Sequence, residues 1–437
     1  MRNARPVGQK SSAKHALLAG AALGSFAILA ASSAQATPTY SLLTTIAIPA
    51  ARSNTAGTFV GYDLSTFDAT NQLYYLTDRS NNGVDVFSAK TNSYIERIGQ
   101  GTFSGATASN DNAGPNGISI TTIPTGRLLI AGDGPSSFQT FNLDATGLNL
   151  VAGTTPRTTS TAVAGTPSPP NRVDGVAYAP GPNTILSANN ASTPGFVTLV
   201  NNADGTIIKS IKLDGTGGYP NVAGDGVEAT VYNTARKTFF VAIPRFNSAG
   251  AGGVIELNAS TGALVNTFDF NALGLTGICG PTGVAQGATS SVLVACGDNA
   301  AGPKQTVLLN PDTNSIKIIT GVGGGDQVAY NPTLDTFFEA ARFNPGGPVL
   351  GIIGGDGTSS QNISITFNDH SVAVDPVSGE VFVAFGASTQ TNPDPYCAAG
   401  CIGVFAPAPV PEPATLPLMT AGLLSLALML RHKKRPS

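Results

Sequence analysis

The chain has 437 residues but no tryptophan, three methionines, three histidines and four cysteines, and charged residues make up only 11% of it. A typical soluble protein carries about 25% charge. With a formal net charge of −3, the sequence lacks the basic surplus that binding a polyanion requires, which excludes nucleic acid as a partner. One histidine, His370, lies between residues 37 and 410, so three-histidine metal centres and multi-histidine catalytic clusters are excluded there. A Ser-His-Asp triad would have to use His370, and no Gly-x-Ser-x-Gly nucleophile turn occurs in the same segment. Apolar stripes of helical period are also missing from it, which excludes a helical bundle and a parallel α/β sheet. What is abundant is glycine, at 52, and proline, at 30, beside 41% hydrophobic residues. That is too apolar for disorder and too rich in turn formers for long helices, so short strands joined by turns remain.

Both ends read as addresses. Residues 1–36 begin with Arg2, Arg5, Lys10 and Lys14, continue through an apolar stretch from Ala16 to Ala31, and end Ser33-Ala34-Gln35-Ala36. A basic start, an apolar centre and a small-residue end make a secretory signal peptide, cleaved after Ala36. At the other end, residues 408–413 form a proline-rich linker containing Pro411, Glu412 and Pro413. Residues 414–430 form an apolar run that spans about 25 Å as a helix, enough for a bilayer core. Residues 431–437 are basic, and the positive-inside rule keeps them cytoplasmic. The order of Val-Pro-Glu-Pro, apolar helix and basic cluster resembles the PEP-CTERM sorting signal. That resemblance implies a Gram-negative bacterium and an exosortase-type membrane enzyme that removes the tail. It further implies passage from an inner-membrane-anchored precursor to the cell surface or extracellular matrix. Exopolysaccharide or surface proteins would be the partners there, with membrane contact only through the helix before processing.

The ends also hide the charge of the middle. Four of the 23 Lys/Arg lie before residue 37 and four after Pro411, against one of the 26 Asp/Glu, leaving 15 basic and 25 acidic residues in 37–410, a net of −10. An acidic segment outside the cell disfavours polyanions and suits divalent cations.

A unit recurs along residues 37–407. An Asp, Asn or Thr precedes a short apolar strand, a stronger strand rich in Phe, Tyr, Val and Leu follows, and two further strands complete the copy. Starts at Asp63, Asn116, Asp174, Asp225, Thr282, Asp326 and Asp369 are spaced at the length of a four-stranded propeller blade. Copies four and six match best, Thr238-Phe239-Phe240-Val241-Ala242 against Thr336-Phe337-Phe338-Glu339-Ala340. The seventh copy lacks a fourth strand, and Ser41–Ile48 is a strand without a copy. The expectation is an all-β, seven-bladed propeller closed by that N-terminal strand, followed by a C-terminal transmembrane helix. A β-sandwich or β-helix is the structural alternative. The pattern resembles the YVTN/NHL-like class of secreted propellers, with Tyr75-Leu76-Thr77-Asp78 echoing its motif.

Innermost strands line the channel of a propeller. Asp63, Asn116, Asp174, Asp225, Asp326 and Asp369 are therefore candidates to ring one mouth, joined by Glu228. Oxygen ligands converging there would suit Ca²⁺. The competing reading makes each an Asx cap bonded to its own turn, and repetition in every blade favours the cap. Asp78, Asp133, Asn189, Arg245, Asp298 and Arg342 end second strands. Arg245 and Arg342 are candidates for a carboxylate or acidic-sugar ligand, or for pairing with acids such as Glu339, the preferred reading. The absence of tryptophan weakens a lectin reading. Cys279 with Cys296 and Cys397 with Cys401 form the simplest of three disulfide connectivities. The leading expectation is a non-enzymatic binding or scaffold module. The alternative is a Ca²⁺-dependent lactonase-like or other hydrolase working at the acidic mouth.

Overall fold

The computed structural model describes residues 38–162, 171–222, 226–247, 251–275, 279–297, 304–366, 368–387 and 397–408. Seven four-stranded antiparallel sheets are present, and in six of them the strands are paired in sequence order from the centre outward, the seventh taking its outer strand from the N-terminus. Blade 1 contains Tyr62–Asp68, Leu73–Asp78, Gly83–Ser88 and Ser93–Ile98. The innermost strands of blades 2 to 7 are Ile118–Ile123, Val176–Ala179, Thr230–Asn233, Gly283–Gln286, Val328–Asn331 and Val372–Val374. Each innermost strand packs against the next, and that of blade 7 packs against that of blade 1, closing the ring. Closure is made by the N-terminal strand Tyr40–Ala47, which pairs antiparallel with Cys401–Pro407 as the outer strand of blade 7.

The amphipathic logic of the blades explains the repeat. Second strands are buried along their whole length, as in Thr238–Ile243. Successive side chains point to opposite faces of a strand, and here both faces meet a neighbouring blade. Phe239, Val241 and Ile243 pack into blade 3, while Phe240 and Ala242 pack into blade 5. Seven apolar clusters result, each seated between two adjacent blades. Burial of a Phe or Leu side chain contributes about 1.5–3 kcal/mol, so these interfaces hold the ring together. Outer strands alternate exposed and half-buried residues, as Ser93–Ile98 does, because one face meets water.

Side-chain amides complete the seam where the ring closes. Gln327, at the start of the innermost strand of blade 6, receives the backbone N–H of Ser65 at 3.0 Å and donates to its carbonyl at 2.6 Å. It also receives the backbone N–H of Val372 at 3.0 Å, linking blades 6, 7 and 1. Gln361 treats Tyr40 in the same way, receiving its N–H at 2.7 Å and donating to its carbonyl at 2.9 Å. Two disulfides are formed, Cys279–Cys296 within blade 5 and Cys397–Cys401 at the entry to the third strand of blade 7.

The glycines that follow the repeated polar residue have a steric cause. Innermost strands converge at the narrow end of each wedge. A Cβ on Gly117 would lie 1.6 Å from the carbonyl oxygen of Asp174, and one on Gly283 would lie 2.2 Å from that of Asp326. The expected signal peptide (1–36), the Pro411-Glu412-Pro413 motif, the helix of 414–430 and the tail of 431–437 lie outside the described residues. Among the described residues no helix is long and apolar enough to cross a membrane.

Gly117→Ala is expected to lower stability by about 3 kcal/mol through overpacking at the channel. Gly181→Ala, at a site with no atom within 4 Å, should leave it unchanged. Urea unfolding followed by circular dichroism measures both, and equal midpoints would refute the close-approach account.

Candidate functional site

The mouth of the channel is a polar depression of about 260 Å³ on the face where innermost strands begin. Asp63, Asp174, Glu228 and Asp326 all line it, so four of the expected residues converge. Asn116 and Asp369 do not line it. Asn116 is fully buried and donates to the carbonyls of Ala113 at 2.9 Å and Val173 at 3.1 Å. Asp369, also fully buried, accepts from the backbone N–H and hydroxyl of Thr366 at 2.6 and 2.8 Å. Both are loop caps. Asp225 lies outside the described residues.

Arginines answer the carboxylates. Arg79 approaches Asp63 at 2.7 Å, Arg172 approaches Asp174 at 2.9 Å and Arg342 approaches Asp326 at 2.8 Å. Arg79 is steered by Asn116 and Asn110, which accept from its Nε and Nη1 at 2.9 and 2.7 Å. Among the described residues no three His, Cys, Asp or Glu side chains are grouped to hold a metal ion. The sequence reading pairs Arg342 with acids such as Glu339; the acid it meets is Asp326 rather than Glu339, and its guanidinium also lies 4.8 Å from the Phe343 ring centre. The reason is the strand's alternation. Glu339 points into the interface with blade 5, where it accepts from Thr306 and from the N–H of Gly325, whereas Arg342 lies past the strand's end at the mouth. Arg245, at the end of the corresponding strand of blade 4, is half-buried and is not among the residues lining the mouth.

The electrostatics of the site follow from burial. Asp63 is raised to about 7, first by burial and then by Asp174 and Asp326, against the opposing pull of Arg79 and Arg172. Its Oδ2 and the Nη2 of Arg79 are close as charges but poorly aligned, and both are buried without a hydrogen bond. Asp174 behaves in the opposite way. Burial would raise it, but Arg172 and a hydrogen bond with Glu228 bring it below the usual carboxylate range. His370 stacks on Tyr62 at 4.5 Å between ring centres, and Tyr62 stacks on Phe59 at 4.6 Å. Burial first, then Arg342, lowers its imidazole to about 4, so the ring is neutral at pH 7. Its Nδ1 meets the Asn368 carbonyl at 2.7 Å and its Nε2 lies 3.8 Å from Asp63. The site therefore has alternating carboxylate and guanidinium edges, amide groups and one neutral imidazole.

Reading by residue type found the acids and missed Arg79, Arg172 and Asn368. Arg79 and Arg342 directly follow second strands, which end on the same face as the innermost strands begin. That topological fact was the available signal.

Comparison with known proteins supports both parts of this picture. Residues 409–435 match the PEP-CTERM protein-sorting motif. The motif implies processing by exosortase and export to the cell surface. No curated protein matches this chain in sequence. Among solved structures, U3-55K is similar at 10% identity and a TM-score of 0.54, over 79% of this chain and 95% of that one. The WD40 repeats of RRP9 give 10% and 0.55, over 80% and 95%. Hydrazine synthase of Kuenenia stuttgartiensis gives 11% and 0.56, over 78% and 97%. At that identity the likeness shows the propeller fold alone.

Two titrations check the buried groups. The His370 ring should remain neutral down to about pH 5 when followed by NMR, and a midpoint near 6.5 would contradict its burial. Glu339 is raised from 4.5 to about 7 by burial, against hydrogen bonds from Thr306 and Gly325. The folded protein holds that proton to higher pH than the unfolded chain, so stability falls as pH rises from about 4.5 through 7. Glu339→Gln should remove this slope, matching the wild type at pH 4.5 and exceeding it above pH 7 by up to about 3 kcal/mol. Parallel melting curves across that range would refute the assignment.

Proposed function

We propose that this protein is a surface or matrix binding module whose propeller presents the channel mouth to a neutral, hydrogen-bonding ligand. A sugar unit of an exopolysaccharide or a polar segment of a surface protein has that chemistry. The carrying observation is the pairing of Asp63, Asp174 and Asp326 with Arg79, Arg172 and Arg342. Charge is balanced locally, while the edges of these pairs remain able to donate and accept. Tyr62 is 2% exposed and sandwiched, so a sugar here would be held by its hydroxyl edges rather than on an aromatic face. The same pairing argues against Ca²⁺, which would have to displace three guanidiniums from the carboxylates it needs.

In this reading residues 1–36 are removed as a signal peptide in a Gram-negative bacterium. Residues 414–430 hold the precursor in the inner membrane with 431–437 in the cytoplasm. Exosortase cuts near Pro411-Glu412-Pro413 and releases the propeller of 37–407. One observation favours a second reading, a hydrolase. Asp63, raised to about 7 and beside neutral His370, has the acidity a general acid-base group needs at neutral pH.

Calorimetric titration of the purified protein with Ca²⁺ after chelation should give no binding heat, and chelator should leave the melting temperature unchanged. Against a panel of neutral saccharides, Arg79→Ala should weaken binding about tenfold or more, since it removes a charged hydrogen-bonding group. Stoichiometric Ca²⁺ binding abolished by Asp174→Ala would overturn this reading. Lactone or ester turnover lost in Asp63→Asn would replace it with the hydrolase.

A further inference from the structure

A second polar cavity lies on the opposite face of the ring. It has a volume of about 210 Å³ and is lined by Thr140, Asn142, Thr155, Arg157, Asn202 and Ala203, from blades 2 and 3. Its wall is an insertion peculiar to blade 2. The third strand of that blade, Ser137–Leu143, connects to the outer strand, Arg157–Ser160, through residues 144–156. The corresponding connections in blades 1, 3 and 5 are residues 89–92, 202–206 and 311–314. The insertion is tied down. Gly147 accepts from the Tyr75 hydroxyl at 2.8 Å, Ala145 accepts from the Asn71 amide at 2.9 Å, and Val151 donates to Asn142 at 2.9 Å.

Arg157 is the unusual residue in this cavity. Arg79, Arg97, Arg127, Arg172, Arg236 and Arg342 each have a carboxylate within 4 Å. Among the described residues Arg157 has none, and unlike the exposed Arg52 it is half-buried; its side-chain hydrogen bond there runs from Nη2 to Asn202 at 3.2 Å. Its Nε is buried without a partner, beneath Gly205. Asp204, whose charge reaches the guanidinium, accepts instead from the N–H and hydroxyl of Thr206 at 2.9 and 2.8 Å. Partial burial without a counter-ion lowers the basicity of Arg157, and an anion would relieve that penalty. The side chains of Asn142 and Thr155 line the same space and, among the described residues, make no hydrogen bond to protein.

We propose that this groove binds the carboxylate of an acidic sugar, with Arg157 gripping the anion and Asn142 and Thr155 ordering the neighbouring hydroxyls. The site is separate from the channel mouth and selects the opposite class, a charged ligand rather than a neutral one. A guanidinium suits a carboxylate because its planar N–H groups match two oxygens. The insertion explains why one blade alone has the site.

The test is calorimetry on the purified protein with glucuronate, glucose and inorganic sulfate. Glucuronate should bind saturably and more tightly than either of the others. Arg157→Gln should weaken it about tenfold or more, as expected for loss of a charge-assisted pair, with an unchanged melting temperature. Asn142→Ala should weaken glucuronate several-fold and leave sulfate as before; it carries the test if Arg157→Gln fails to fold. Sulfate binding as tightly as glucuronate would overturn the sugar assignment. Glucuronate binding that survives Arg157→Gln but is lost in Arg79→Ala would move the site to the mouth and overturn the proposal. Absence of saturable glucuronate binding would also overturn it, while leaving the neutral-ligand reading of the mouth standing.

Discussion

Everything in this molecule depends on one pairing, that of Tyr40–Ala47 with Cys401–Pro407. A ring of wedges has no covalent closure of its own. If the outer strand of blade 7 were absent, that blade would lose a quarter of its sheet and expose an edge. Gln327 and Gln361 strengthen the same seam from blade 6, each presenting an amide to both backbone groups of a partner residue. An amide so placed imitates a strand, satisfying one N–H and one C=O that would otherwise stand buried or half-buried without partners. The seven interfacial clusters, and the convergence of side chains at the mouth of the channel, exist only while that ring is shut.

The closed ring forces acidic groups together at the mouth, and the arginines are the response. Carboxylates converging in a partly buried site repel one another and lose hydration. Placing a guanidinium beside each of three of them holds Asp174 ionised, while Asp63, poorly aligned with Arg79, is left near neutrality. The same economy of charge marks blade 2 by contrast. Arg157 has been left without an acid, at a place where the chain has added a loop beside it. The mouth thus presents balanced pairs, and the groove of blade 2 a half-buried guanidinium with no carboxylate beside it among the described residues.

Much of the fold was legible because it depends on periodicity. Second strands rich in Phe, Tyr, Val and Leu, polar-Gly starts and turn spacing are local, repeated signals, and the unassigned strand at Ser41–Ile48 left only one gap to fill. The sulfur pairings were legible because each pair lies within one blade. The site was legible only in part. Asn116, Asp174 and Asp369 hold the same place in the repeat, yet only Asp174 faces the mouth. The outcome turns on whether a neighbouring loop offers a carbonyl, as Ala113 does, or a hydroxyl, as Thr366 does. Such choices belong to loops that differ from blade to blade. The pairing of Arg342 with Asp326 rather than Glu339 has a similar origin. Residues close in sequence were separated by strand alternation, and residues farther apart were joined by topology.

The closing strand also imposes a timetable. Tyr40–Ala47 is synthesised before every other strand of the ring, and its partner, Cys401–Pro407, after all of them. Until both are present the strand is an orphan, with the backbone groups that Cys401–Pro407 will meet left unpaired. Pairings between such distant segments form slowly, and unpaired edges are exposed to misassembly meanwhile. The final pairing becomes possible only as the chain reaches the sorting motif at 409–435. Completion of the ring and arrival of the sorting motif are therefore adjacent events, so a chain cut short before Cys401 would lack its latch and that motif together.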